Sequence, residues 1–252
     1  MRILISPFFI FIFLCYAFLI TSLAIGFSRM DDFVSDNYEI KTKFSVIIPF
    51  RNEAENLPKL LHSIIKLNYP KDFFEIILVD DDSTDDSVLV IQKVLDKILD
   101  TKTQIIQNQR KSNSPKKDAI FTAIHQAKYN WIVTTDADCI LPKNWLKTLD
   151  SFIQQKQPKM IVAPVSYEVN NSFLEQFQLL DFYSLQGSTI GGFGISNPFL
   201  CNGANLCYKK EDFIKLNGFV GNDKIASGDD IFLFEKFIKD DSKSVQFLKS
   251  KE

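Results

Sequence analysis

The chain has 252 residues, 46% apolar, 24% charged and 13% aromatic, enough for one sizeable hydrophobic core. Nine Gly and nine Pro exclude a collagen-like repeat, and the ordinary apolar share excludes a disordered chain. A net charge of −2 offers no basic field for nucleic acid, and Cys15, Cys139, Cys201 and Cys207 contain no Cys-x-x-Cys pair, which argues against a disulfide scaffold or a zinc site and for a reducing compartment.

The first element is apolar. From Ile3 to Ser28 no residue is charged, and as a helix rising about 1.5 Å per residue that run exceeds the roughly 30 Å hydrocarbon core of a bilayer. It also exceeds the usual apolar stretch of a cleaved signal peptide, for which Ser22-Leu23-Ala24 would be the cleavage site. The expectation is an uncleaved anchor over residues 1–28. Arg2 precedes it, while Arg29, Lys41 and Lys43 follow it, so the positive-inside rule favours a cytoplasmic body. Residues 29–42, with Asp31, Asp32, Asp36 and Glu39, read as a polar linker, and 43–252 as one folded domain.

The domain alternates strand and helix. Phe44–Ile48 is an apolar, β-branched run stopped by Pro49, a buried strand. Leu57, Leu60, Leu61, Ile64 and Ile65 recur at helical spacing, with Pro58 in the first turn. Glu75–Val79 is the second strand. Ser83, Thr84 or Asp85 can cap the next helix, whose inner stripe is Val88, Ile91, Val94, Leu95 and Ile98. Gln104–Ile106 is a third strand, and Ser114-Pro115 opens a helix with Ile120, Ala123, Ile124 and Ala127 inward. Trp131–Thr135 is the fourth strand. Such alternation predicts an α/β fold with a Rossmann-like, mostly parallel sheet flanked by helices. Further on, Phe173, Phe177, Leu180 and Tyr183 share one helical face, and the glycine-rich stretch from Gly187 to Gly203 reads as irregular. Gly191-Gly192-Phe193-Gly194 lacks the spacing and preceding strand of a phosphate loop.

In an open parallel sheet, ligands bind beyond the carboxyl ends of the strands. Strand one ends on Arg51-Asn52-Glu53, strand two on Asp80-Asp81-Asp82 and strand four on Asp136-Ala137-Asp138, so these acids converge. Crowded carboxylates repel unless a cation or hydrogen-bond donors compensate. Asp82, Asp85 and Asp86 have a simpler use at a helix start. Asp136 and Asp138 do not: read as an extended continuation of the strand, they aim at one side. Two carboxylates there suit Mg²⁺ or Mn²⁺, which completes its shell with phosphate oxygens and water. Gly228-Asp229-Asp230 followed by Ile231, Leu233, Phe234 and Phe237 reads as a helix start. His62 and His125 lie within helices and read as packing or surface residues, Cys139 and Cys207 as small core residues, and Asn170-Asn171-Ser172 as a formal glycosylation sequon without meaning in a cytoplasmic domain.

Ser45-Val-Ile-Ile-Pro-Phe-Arg-Asn-Glu53, Glu75-Ile-Ile-Leu-Val-Asp-Asp-Asp-Ser-Thr-Asp85, Thr135-Asp-Ala-Asp-Cys139 and Gly228-Asp-Asp230 resemble the four ordered signatures of family 2 glycosyltransferases, from about residue 42 onward. The resemblance implies a GT-A fold, a nucleotide-sugar donor, a divalent metal (Mg or Mn), inversion at the anomeric carbon, and a glycan or lipid-linked acceptor at the bacterial inner membrane. Within it, Pro49, Arg51 and Glu53 match the first nucleotide-contacting loop, and Asp81 the position that binds the base. Asp136 matches the acid near the ribose and metal, and Asp138 the metal ligand beside the diphosphate. Asp229-Asp230 stands for the usual Glu-Asp pair, with Asp230 at the catalytic-base position and Asp229 beside it. Phe199–Gly203 resembles the acceptor-side loop, giving Cys201, Asn202 and Gly203. Lys116 or Lys117 takes the place of a lysine near the donor.

Membrane-bound members usually continue with a Gln-x-x-Arg-Trp segment and further transmembrane helices. The only tryptophans here are Trp131 and Trp145, so the sequence reads as ending before that region. Two other readings compete. A sugar nucleotidyltransferase would carry a glycine-rich basic loop after strand one, where this chain has Pro49-Phe-Arg-Asn-Glu53. An anchored Ca²⁺-binding module would need the glycine and closing Glu of an EF-hand around Asp80–Asp86, and neither falls at the required offset.

Overall fold

The computed structural model describes residues 7–35, 39–95, 102–167, 172–222, 225 and 228–250. In chain order, α1 (Pro7–Arg29) precedes β1 (Phe44–Phe50), α2 (Leu57–Ile65), β2 (Phe74–Asp80), α3 (Ser87–Leu95) and β3 (Lys102–Gln107). Next come α4 (Pro115–Gln126), β4 (Trp131–Thr134), α5 (Trp145–Lys156), β5 (Met160–Val162) and the long α6 (Phe173–Gly194). Then follow β6 (Leu206–Lys209), the short α7 (Lys210–Lys215), α8 (Asp229–Asp241) and β7 (Val245–Phe247). The chain divides into two compact units, residues 1–32 with 164–200 and residues 33–163 with 201–252.

In the larger unit, the described strands form one sheet in the order β3-β2-β1-β4-β6-β5-β7. The β1–β2, β1–β4, β2–β3 and β5–β7 pairs are parallel, while β6 runs antiparallel to β4 and β5. β1 is central and its Phe44, Val46, Ile47 and Ile48 are fully buried, as a parallel strand covered on both faces requires. Beneath it pack Leu57, Leu60 and Leu61 of α2 and Leu146 and Leu149 of α5. Ile120, Ala123 and Ile124 of α4 and Ala127 beyond it are buried as their spacing predicts. Of the α3 stripe, Ile91 is buried and Val88, Val94 and Leu95 are half-buried; Ile98 lies outside the described residues. The supposed linker is tied down: Lys41 and Thr42 donate backbone N–H groups to the buried Asp150 carboxylate at 3.2 and 3.1 Å, and Phe33 packs edge-on against Phe152 with ring centroids 5.0 Å apart.

Pro49 does not stop β1, contrary to the sequence expectation. Ile47 O accepts from Thr135 N on the β4 side and Phe50 O from Asp81 N on the β2 side. Pro49, two residues beyond Ile47, therefore turns its nitrogen toward β4, whose pairing with β1 has ended at Thr134. No ladder bond is lost, so the strand runs through the proline.

The smaller unit pairs α1 with α6. Among the described residues α1 is long and apolar enough to cross a membrane, with a window of mean hydropathy 2.6 and none of it buried. The glycine-rich stretch expected to be irregular is helical as far as Gly194. The reason is a backbone contact: a Cβ on Gly191 would stand 2.4 Å from Leu23 O, and one on Gly26 2.1 Å from Gly191 O. Small residues let two helices meet at this distance, as in membrane helix pairs. The N-terminal half of α6 exposes the apolar face predicted from its spacing, with Phe173 86% and Leu180 67% accessible. Ser172 caps the helix by accepting from Glu175 N, while the other two sequon residues lie outside the described residues.

Candidate active site

The loops after β1 and β2 are knitted to each other before they hold anything else. Asn52, in the left-handed region at φ 56°, accepts the Thr84 N–H at 2.8 Å and donates its own N–H to Ser83 Oγ at 3.0 Å. Ala54 N donates to Asp85 Oδ2 at 3.1 Å, and Asp85 also accepts from Ser87 N at the start of α3. Asp80 accepts from Ser83 N and from Gln107 Nε2, and Asp82 is exposed. Of the three consecutive acids, only Asp81 lines the cavity at the sheet edge.

That cavity, about 450 Å³, is lined by Pro49, Arg51, Glu53, Asp81, Lys116, Asp136 and Asp138, among others. Asp81 accepts from Arg110 Nε at 2.6 Å, Arg110 Nη2 at 2.8 Å and Asn108 Nδ2 at 2.7 Å, with Arg51 4.0 Å away. Burial alone would raise its pKa, but the hydrogen bonds from Arg110 and Asn108 outweigh it and hold the carboxyl below the ordinary range. Arg110 and Asn108 were missed in the sequence. Their signal was the polar run Gln107-Asn108-Gln109-Arg110 at the carboxyl end of β3, the same edge that carries the acids.

Asp136 and Asp138 reach the cavity by a turn rather than by the extended segment expected. Cys139 N donates to Asp136 O at 3.2 Å, and the buried Ala137 lies between two acids directed to one space. Cys139 is consequently half-buried beside them rather than in the core, whereas Cys207 is buried in β6. Lys116 Nζ pairs with Asp136 Oδ1 at 2.7 Å. Burial opposes the Lys116 charge, but Asp229 and then Asp136 raise its pKa. The same ammonium therefore sits in the field of Asp136 and of the acidic pair that opens α8.

Gly228 caps α8, and Asp230 is oriented from two directions: Oδ2 accepts from Gly203 N at 2.9 Å and Oδ1 from Ile231 N at 2.8 Å. A Cβ on Gly203 would stand 3.2 Å from Asp230 Cβ, so the close approach favours glycine. Thr134 Oγ1 donates to Gly203 O at 2.8 Å, and Asn202 Oδ1 accepts from Ala204 N. The segment Cys201-Asn202-Gly203 is thus stapled through Gly203 to both the end of β4 and Asp230. Burial pushes the Asp229 carboxyl above its ordinary value, Lys116 pulls it down and Asp230 adds to the rise. Burial, with Asp230 and Asp229, likewise pushes up the Cys201 thiol.

The structure distinguishes the two lysines. Lys116 lines the cavity, whereas Lys117 is buried and donates to Asn222 O and Ile225 O. His62 and His125 each place Nδ1 on the carbonyl four residues earlier and lie on exposed surface. Among the described residues no three His, Cys, Asp or Glu side chains form a metal cage. Asp136 and Asp138 supply two hard oxygen donors from one wall, a set that fits a cation drawing its other ligands from phosphate and water.

The sequence profile of Glycosyl transferase family 2 matches residues 45–214. The poly(ribitol-phosphate) beta-N-acetylglucosaminyltransferase TarS of Staphylococcus aureus is 30% identical over 120 residues, 48% of this chain and 20% of that protein. Its crystal structure (residues 1–349) with UDP-GlcNAc superposes with a TM-score of 0.59 at 18% identity, covering 84% of this chain and 59% of that one. The undecaprenyl-phosphate 4-deoxy-4-formamido-L-arabinose transferase of Pseudomonas savastanoi is 32% identical over 115 residues, 44% of this chain and 32% of that protein. Mannosyltransferase PcManGT of Pyrobaculum calidifontis, in complex with GDP-Man and Mn²⁺, superposes with a TM-score of 0.68 at 20% identity, covering 92% of this chain and 64% of that one. These likenesses show the GT-A fold. This chain spans only a fifth of TarS and a third of the undecaprenyl-phosphate transferase, two of its curated relatives.

Proposed function

This chain belongs to glycosyl transferase family 2, and we propose on that premise that it transfers a sugar, with inversion, from a nucleoside-diphosphate donor to a hydroxyl of a glycan or lipid-carried acceptor. The observation that carries this reading is Lys116. It lines the cavity at the strand ends, pairs with Asp136 at 2.7 Å and feels Asp229 and Asp230. Donor wall and acidic pair are therefore arranged around one ammonium.

In this reading Pro49, Arg51, Glu53 and Asp81 form the nucleotide side, with Arg110 and Asn108 fixing the Asp81 carboxylate. Asp138 and Asp136 hold Mg²⁺ or Mn²⁺, which would neutralise charge on the departing diphosphate. Asp230 takes the acceptor hydroxyl's proton as that oxygen attacks the anomeric carbon from the face opposite the diphosphate. The two backbone N–H bonds on Asp230 fix its direction, Asp229 lies beside it, and Cys201, Asn202 and Gly203 border the acceptor. Relatives named for UDP-GlcNAc and GDP-Man complexes support a nucleotide-sugar donor. The relative named for undecaprenyl phosphate, together with α1 as an uncleaved anchor, supports an acceptor presented at the membrane to a cytoplasmic catalytic unit.

Membranes carrying the full chain, washed with alkaline carbonate, should retain Mn²⁺-dependent release of nucleoside diphosphate from UDP-GlcNAc or GDP-mannose in the presence of glycan or polyprenyl-phosphate acceptors. Asp230→Asn should lower that turnover by about 10² to 10⁴, roughly 3–5 kcal/mol of barrier. Near-normal turnover in Asp230→Asn would remove that residue as base, and activity recovered in the wash would remove the anchor.

A further inference from the structure

We propose that Lys117 is a positioning residue which fixes the entry into α8 and so aims the Asp229–Asp230 pair. Lys117 is only 1% exposed, an unusual setting for an ammonium, which is costly to bury unless its donors are satisfied. Its Nζ donates to Asn222 O at 2.9 Å and to Ile225 O at 2.8 Å. It also lies 5.1 Å from the centroid of the Phe232 ring, a cation–π distance that matters most when the cation is desolvated.

The placement of these partners in the chain is what gives the contact a purpose. Asn222 and Ile225 precede the acidic pair, and Phe232 follows it in the first turn of α8. One buried charge therefore holds the chain on both sides of Asp229 and Asp230. Gly203 N holds Asp230 from a third direction. Pro115 at the start of α4 places Lys116 and Lys117 consecutively in a first turn, where neighbouring side chains diverge by about 100°. Lys116 goes to the cavity wall and Lys117 to the α8 entry, so one helix start positions both halves of the site.

The inference rests on the proposed reaction only for its kinetic arm. In the full chain, Lys117→Met keeps an unbranched side chain and removes the charge. Amide hydrogen exchange at residues 228–232 should rise at least tenfold, with exchange in β1 unchanged and calorimetric affinity for UDP or GDP with Mn²⁺ within threefold of wild type. Turnover should fall at least tenfold while the donor KM stays constant. Phe232→Leu removes the ring but leaves the carbonyl bonds, and should give a smaller rise at the same residues; it carries the exchange test if Lys117→Met does not fold. Unchanged exchange at 228–232, or an equal rise throughout β1, would overturn the proposal. So would raised exchange with normal turnover, whereas an inactive wild type with raised exchange in the variant would fault the reaction and leave the positioning role standing.

Discussion

Asp229 carries a carboxyl whose burial costs the fold stability once it ionises. Burial raises its pKa most, Asp230 adds to the rise and Lys116 opposes it. The folded value therefore lies above the unfolded one, about 3.9 for an aspartate, and ionisation of Asp229 weakens the native state. That penalty is absent below the unfolded value and grows as pH rises through the folded value. Asp229→Asn should accordingly unfold at a higher temperature than wild type at neutral pH, and the gain should vanish toward pH 3–4. A constant difference across that range, read from thermal melts, would assign the effect to packing instead. Asp81 has the opposite balance, because Arg110 and Asn108 satisfy its carboxylate. The acids themselves were legible from their positions after strands. Their partners were not, since sequence spacing does not show which way Arg110 or either lysine turns, and one helical position separates a cavity residue from a buried clamp.

At the level of elements, regular periodicity was a good guide and glycine a poor one. α4 buries the residues its spacing marks and α2 buries all of its own but Ile65, which is exposed, and the acidic loops fall at the carboxyl ends of β1, β2 and β4. The segment ending at Gly194 was misread because glycine is costly within a helix. That cost is offset where two helix backbones touch, and a single sequence does not show the partner. Two substitutions separate these effects. A Cβ on Gly187 would meet nothing within 4 Å, while one on Gly191 would meet Leu23 O at 2.4 Å. Gly187→Ala should stabilise by up to about 1 kcal/mol through helix propensity. Gly191→Ala should destabilise by about 1–3 kcal/mol through overpacking. Denaturant unfolding of the full chain in detergent measures both, and equal effects at the two positions would contradict the contact. Pro49 was misread for a related reason: a proline is harmless in a strand wherever its nitrogen faces no partner.

For the molecule as a whole, strand order turns scattered motifs into a site. With β1 between β2 and β4, loops distant in sequence open onto one cavity. Asp136 and Asp138 contribute hard oxygen donors there, and Gly203, which precedes β6, reaches Asp230 at the start of α8. The donor's sugar and base and the acceptor's identity were not legible, because they depend on pocket shape rather than on motif. The central claim is that this cavity takes a metal-bound nucleoside diphosphate. Calorimetric titration of UDP and GDP, with and without Mn²⁺, into wild type and Asp138→Asn tests it most directly. Mn²⁺-dependent binding of at least one nucleotide is expected, weakened tenfold or more in Asp138→Asn with the melting temperature unchanged. Equal affinity in the two proteins, or no nucleotide binding to wild type with Mn²⁺ present, would contradict it.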